Sequence, residues 1–203
     1  MDRRQFDQSC RRRLVPAMPL ALACLALLGP RASAQSKPLI DFGAAGVESR
    51  IKVNDGQLGV EYKVVAGSKG KALELTCEPG QSAYPGIALM PEGKVWDLSA
   101  FGHVEAQVVN TGEGNSGLSL RVDNEGDSQA NPWNGETTWL KPGQAATVRV
   151  YFGYSWGKPG YALDPATVSR VLLFVGKTDR VQSYRIDSVV AGGQQHGRRH
   201  PVP

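Results

Sequence analysis

Two short segments carry side chains suited to recognising a ligand: Asn131-Pro132-Trp133-Asn134 and Tyr154-Ser155-Trp156-Gly157. The first sets a tryptophan between amides, and the second sets two aromatics one residue apart beside glycine. A sugar ring offers an apolar C–H face to an aromatic ring and hydroxyl edges to amides, carboxylates and guanidinium groups. Apolar walls with a few placed polar groups are what small-molecule sites require. The region from Arg121 to Tyr161 holds seven of the fifteen Phe, Trp and Tyr residues. Most of them lie in or beside loops rich in Gly, Asn and Pro, where core packing does not readily account for an aromatic. The competing role for each one is packing over a sheet edge.

Arg121 and Asp123 join these aromatics through alternation. In Leu118 to Asp123, the residues Leu118, Leu120 and Val122 go to the core, while Ser119, Arg121 and Asp123 share the opposite face. In Thr147 to Phe152, Val148, Val150 and Phe152 go in and Thr147, Arg149 and Tyr151 go out. Such faces can serve as hydrogen-bonding platforms for hydroxyls or can carry only cross-strand ion pairs. The candidate ligand-binding set is therefore Arg121, Asp123, Asn124, Asn131, Trp133, Asn134, Tyr154 and Trp156. Trp96, ahead of Asp97-Leu98-Ser99, is expected in the core. Trp139, between Thr138 and Leu140, fits either face and is assigned with Phe152 to the scaffold.

Catalysis by the same residues is the weaker reading. A glycosidase needs two carboxylates flanking the scissile bond, and Asp123, Glu125, Asp127 and Glu136 are close in sequence. No Ser or His constellation accompanies them, and His103 is the only histidine between residues 38 and 192. Cys77 alternates with Leu73 and Leu75, as a buried thiol acting as a small hydrophobe would.

The flanks of the chain set the context. Residues 1–34 combine a basic start (Arg3, Arg4, Arg11 to Arg13), an apolar run from Leu14 to Leu28 and an Ala32-Ser33-Ala34 site, the pattern of a cleaved signal peptide. The run is shorter than the ~20 residues of a spanning helix, so no retained membrane span is expected. Arg3-Arg4-Gln5-Phe6 resembles a twin-arginine export motif. Both that route and the general secretory one lead to a periplasmic or secreted location. Removing residues 1–34 takes six of the 23 basic residues and two of the 19 acidic ones, leaving 17 of each. The mature chain is formally neutral, which disfavours nucleic acid and favours a neutral ligand. One cysteine remains, so an internal disulfide is excluded.

After a linker at residues 35–37, residues 38–192 read as one domain with period-two patterning. Expected strands are Leu58–Val65, Ala72–Cys77, Gly86–Leu89, His103–Val109, Gly117–Asp123, Glu136–Leu140, Ala145–Phe152, Arg170–Val175 and Tyr184–Val190, with helical turns at Asp97–Ala100 and Asp164–Val168. Short strands separated by Pro-Gly and Asn-Asp-Gly turns predict an all-β antiparallel β-sandwich, specifically a jelly roll. Residues 193–203 lack an apolar pattern and read as a disordered basic tail.

Val95-Trp96-Asp97-Leu98-Ser99-Ala100-Phe101-Gly102, Leu118-Ser119-Leu120-Arg121-Val122-Asp123-Asn124, Asn131-Pro132-Trp133-Asn134, Leu140-Lys141-Pro142-Gly143, Lys158-Pro159-Gly160-Tyr161-Ala162-Leu163-Asp164-Pro165 and Tyr184-Arg185-Ile186-Asp187-Ser188-Val189 occur in this order. Together they resemble the N-terminal carbohydrate-binding-module-like domain of bacterial β-agarases and related glycoside hydrolases. The resemblance implies a galactose-binding-like jelly roll and says less about the ligand, since such domains accompany several hydrolases; the expected ligand is a neutral polysaccharide or oligosaccharide, galactan-like or other. In those enzymes the module prefaces a catalytic barrel; this sequence ends about ten residues after the module, so no barrel-borne activity is expected and a hydrolase would be a separate exported partner. The resemblance also implies a structural calcium near Asp41 and Asp187, with Glu48 or Glu61 as further ligands. A structural or protein-interaction module without a sugar ligand is the alternative, and a small glycoside hydrolase a third.

Overall fold

A computed structural model describes residues 35–194, apart from 55, 81 and 127–131. The signal peptide and most of the tail expected from the sequence lie outside the described residues. The strands are β1 (Ser36–Pro38), β2 (Ile51–Val53), β3 (Val60–Ala66), β4 (Lys71–Cys77), β5 (Gly86–Leu89), β6 (Phe101–Asn110) and β7 (Ser116–Asn124). They are followed by β8 (Trp133–Leu140), β9 (Ala145–Tyr151), β10 (Tyr154–Ser155), β11 (Lys158–Pro159), β12 (Val168–Phe174) and β13 (Gln182–Gln194). Sheet A runs β3-β4-β13-β6-β9 with β1 alongside the end of β13, and sheet B runs β2-β5-β12-β7-β8. All pairings are antiparallel, and the chain passes repeatedly between the sheets. This is a jelly-roll β-sandwich.

Period-two patterning forms the sandwich because each strand has one apolar side to bury. Sheet A contributes Leu73, Leu75, Cys77, Val104, Ala106, Val108, Val148, Val150, Tyr184 and Ile186; sheet B contributes Ile87, Leu89, Leu118, Leu120, Val122, Val171 and Leu173, all buried. Fully burying such a side chain stabilises the fold by about 1.5–3 kcal/mol. Burial also pushes the Cys77 thiol up to about 12, and Glu78 adds to this, so the thiol is inert at neutral pH. Trp96 is core, as expected, and bridges to Val168 by backbone hydrogen bonds.

Several features depart from the sequence expectation. Ser36 and Lys37, assigned to a linker, pair with Gly192 and Ala191. β8 begins at Trp133, three residues before the expected strand. The strand Ile51–Val53 was not anticipated because only three residues pair. Of the two helical turns, Pro165–Thr167 is a 3-10 turn capped by Asp164, whereas Ser99 and Ala100 form only a turn. β13 carries a bulge between Ile186 and Ser188, which moves the buried phase from Tyr184 and Ile186 to Val189 and Ala191.

Gly86 marks the tightest packing in sheet B. A Cβ there would lie 2.3 Å from the Leu173 carbonyl oxygen and 2.5 Å from Phe174 Cα. Because the obstruction is backbone, Gly86→Ala must separate β5 from β12. We expect it to cost at least about 3 kcal/mol, above the usual range for a core substitution, read as a lowered urea midpoint. An unchanged midpoint would mean that the strand pair adjusts freely.

Candidate functional site

The outer face of sheet B collects the candidate residues. Across β8, β7 and β12 the register opposes Trp133 to Asp123 and Asp123 to Arg170, then Gly135 to Arg121 and Arg121 to Leu172, then Thr137 to Ser119 and Ser119 to Phe174. Gly117 faces Trp139 in the last rung. Opposed residues share a face, so one surface carries Trp133, Thr137 and Trp139 from β8 beside Ser119, Arg121 and Asp123 from β7.

The Trp156 indole reaches this surface from the β10–β11 hairpin. Trp156 and Gly157 form a two-residue turn with φ of 50° and 71°, the positive-φ pattern in which Asn-Gly is preferred. A tryptophan in that conformation costs about 1–2 kcal/mol, and such strain is retained where the surroundings enforce it. Here the Trp156 N–H donates to the Gly135 carbonyl at 3.0 Å, and the indole Nε1–H donates to Thr137 Oγ1 at 3.2 Å. Thr137 Oγ1 in turn pairs with Ser119 Oγ at 2.8 Å. Both rings lie over Gly135, where a Cβ would make ordinary contact with Trp156 at 3.6 Å and Trp133 at 3.7 Å. Trp133 packs edge-on against Trp156 at 5.5 Å and tilts on Tyr161 at 5.6 Å.

Several expected ligand contacts are instead structural. Asn134 is fully buried, and its amide donates to the carbonyls of Trp133 and Tyr161 while accepting from the Gly153 N–H. It fixes the loop that carries Trp156 and does not face a ligand. Asn124 staples β7 to the turn before β12, donating to the Asp164 and Thr167 carbonyls and accepting from the Asp164 N–H. Asp123, 2% exposed, accepts two hydrogen bonds from Arg121, at 2.7 and 2.9 Å, and one from Arg170, at 2.9 Å. Its carboxylate organises arginines rather than sugar hydroxyls. Arg121 then lies 4.7 Å over the Trp133 ring. Tyr154 is half-buried in the hairpin stem, and Asn131 lies outside the described residues.

Trp139, assigned to the scaffold, is the most exposed of the large hydrophobic side chains, at 75%, followed on this side of the sandwich by Tyr84 at 58% and Trp156 at 50%. The Trp139 ring lies across Gly117, where a Cβ would come within 3.2 Å of it. The signal was in the sequence: Leu140 alternates inward and is buried, which turns Trp139 outward. Beside Trp139 opens a cleft of about 350 Å³, lined by Ser116, Gly117, Ser119, Thr137 and Trp139 on one side and by residues of the 176–182 segment on the other. Tyr84 and Phe174 make an edge-on pair at 5.9 Å and extend the aromatic character across β12.

Of the carboxylates weighed in the weaker, catalytic reading, Asp123 and Glu136 lie on opposite faces of sheet B. Asp123 shares the outer face with Trp133, whereas Glu136 opposes Leu120 on the other face of the sheet. Two carboxyls on opposite faces cannot flank one glycosidic bond. Of the residues named as calcium candidates, Asp187 accepts from Arg185 Nε and Nη2 and from the Ser68 N–H, and Asp41 closes a local turn with the Gly43 N–H. Among the described residues no group of three or more His, Cys, Asp or Glu could hold a metal ion.

Arg149 lies on sheet A, away from this surface, in a cluster with Glu105, Tyr151 and His103. Burial pushes the His103 imidazole below its ordinary value and Arg149 adds to the effect, against the opposing pull of Glu105. The unfolded chain therefore protonates first on acidification, and stability falls as pH drops below about 6.5. The melting temperature of the wild type should decline between about pH 7 and pH 5, and that of His103→Gln should decline less. Parallel curves for the two proteins would remove His103 from the pH response.

No protein-family model matches the chain, and no curated protein matches it. Solved structures do. An exo-β-agarase aligns with TM-score 0.61 and 17% identity over 78% of this chain and 25% of the enzyme. A second agarase aligns with TM-score 0.59 and 13% identity over 82% of this chain and 29% of that one. The chain thus spans little more than a quarter of the agarases' length. The family 11 carbohydrate-binding module from Clostridium thermocellum, in complex with a β-1,3-1,4-mixed-linked tetrasaccharide, aligns with TM-score 0.55 and 15% identity over 81% of this chain and 100% of the module. At these identities the likeness is one of fold. The fold is the carbohydrate-binding-module-like jelly roll that the sequence motifs resemble.

Proposed function

We propose that this domain is a non-catalytic carbohydrate-binding module that lays a polysaccharide or oligosaccharide along the outer face of sheet B. One observation carries this reading: Trp156 and Trp139, half-exposed and largely exposed, flank the Thr137–Ser119 hydroxyl pair on a single open sheet surface. The indoles take the C–H faces of sugar rings, and the hydroxyls, with the guanidinium of Arg121, take the polar edges. The likeness in fold to a module solved with an oligosaccharide supports it. Separation of Asp123 from Glu136 across the sheet supports binding over hydrolysis.

The agarase resemblance makes a galactan-type backbone the first candidate to test, and the pattern of residues 1–34 supports export with cleavage after Ala34 as part of this proposal. On this reading the protein works outside the cytoplasm beside a separate hydrolase. Calorimetry against agarose, xylan and mixed-linkage β-glucan tests the function. Micromolar to millimolar binding to one of them, with no reducing ends released, is the expected result. Binding to none would favour a protein-interaction module, and reducing-end release would favour a hydrolase.

A further inference from the structure

The cleft beside Trp139 is chemically lopsided. Its lining includes Lys177 and Arg180 together with Asn115, Ser116, Ser119, Thr137, Thr178 and Gln182, and contains no carboxylate. Asp179 is in the same segment but does not line the cleft. Arg180 is held by a 2.8 Å bond from Nη2 to the Asn115 carbonyl, and its guanidinium packs over Gly114, where a Cβ would lie 2.7 Å from Nη1. The arginine is thus fixed at the lining of the cleft, and among the described residues no salt bridge to an acid neutralises it. Lys177 is exposed beside it.

We propose that this cleft takes an anionic substituent, a sulfate ester or a carboxylate, on the polysaccharide that stacks on Trp139. The inference rests on sheet B being the carbohydrate-binding face and adds the sign of the ligand's charge. It revises the expectation of a neutral ligand. The balance of 17 basic and 17 acidic residues averages the whole mature surface, whereas recognition depends on the few groups that line one cavity. Lys177 and Arg180 contact the acid group, Ser119 and Thr137 the neighbouring ring hydroxyls, and the indole of Trp139 the ring face.

Calorimetry of the full chain with three probes tests this: agarose for the neutral case, κ-carrageenan for sulfate and polygalacturonate for carboxylate. At low salt, one anionic polymer should bind at least about tenfold tighter than agarose and lose that advantage near 0.5 M NaCl, where the Debye length falls to a few Å. Lys177→Gln should reduce the advantage several-fold without altering agarose binding; this exposed residue carries little folding risk, and Arg180→Gln is the second variant. Trp139→Ala should weaken every polymer that binds. Equal affinity for all three polymers, or an anionic advantage untouched by both variants, would overturn the proposal while leaving the carbohydrate face intact. Anionic binding that survives Trp139→Ala would overturn it as well, by placing the attraction elsewhere. If no polymer binds at all, the carbohydrate face itself fails.

Discussion

Replacing Trp139 by alanine is expected to weaken polysaccharide binding about thirtyfold, or ~2 kcal/mol, and to leave the melting temperature where it was. The two effects separate because the side chain is 75% exposed and lies over Gly117 on the outer face of sheet B. Truncating it removes little buried surface, and substitutions at such positions change stability by about 0.5 kcal/mol or less. It does remove a largely exposed indole face, together with one wall of the adjacent cleft. Trp133→Ala should behave differently. Trp133 packs on Trp156, Tyr161 and Arg121, so its loss lowers stability and weakens binding together. Unchanged affinity in Trp139→Ala would move the site off this surface; a matching loss of stability would make Trp139 scaffold after all.

The largest effect on folding is expected for Asp123→Ala. Asp123 is nearly inaccessible and bonds two arginines whose side chains retain 19% and 25% of their exposure. Removing Asp123 takes from Arg121 its buried counter-charge, and breaking a buried pair costs about 3–5 kcal/mol. Urea denaturation should show that loss at neutral pH. Binding should fall with it, since Arg121 then loses the anchor that holds it over Trp133. A cost below about 1 kcal/mol would class the trio with solvent-screened surface pairs. In that event Arg121 keeps its position through its contact with Trp133 alone.

These two residues exchange the roles that the sequence suggested. Asp123, Asn124 and Asn134 are polar residues close to aromatic loops, and that composition pointed to ligand contact. The structure uses their hydrogen-bonding capacity internally, to hold the arginines, the turn before β12 and the hairpin loop. A polar side chain in a turn satisfies backbone groups or ligand groups with the same chemistry, so residue type alone does not distinguish the two. Trp139 erred in the opposite direction. It was assigned to the scaffold although Leu140 had already fixed the phase of its strand.

Much of the fold was legible because a sandwich writes its pattern into every strand. Nine expected strands fall within or overlap observed ones, and their inward residues Leu118, Leu120, Val122, Val148 and Val150 are buried. Period two is a local consequence of backbone geometry, and burial of one side follows from transfer of apolar surface out of water. The short strands β1, β2, β10 and β11 left no such trace, since two or three residues do not establish a period.

What the sequence alone determined, then, is the all-β class, the inward faces and the segment from Arg121 to Tyr161 where the candidate recognition residues gather. Only the tertiary structure decided which of them reach a common surface. Register between β8, β7 and β12 brings Trp139, Thr137 and Ser119 into adjacent rungs, and a positive-φ turn lays Trp156 over Gly135. It also sets the 176–182 segment, more than 35 residues further along the chain, across a cleft from Trp139. Those relations depend on pairing between distant strands, which no local pattern encodes.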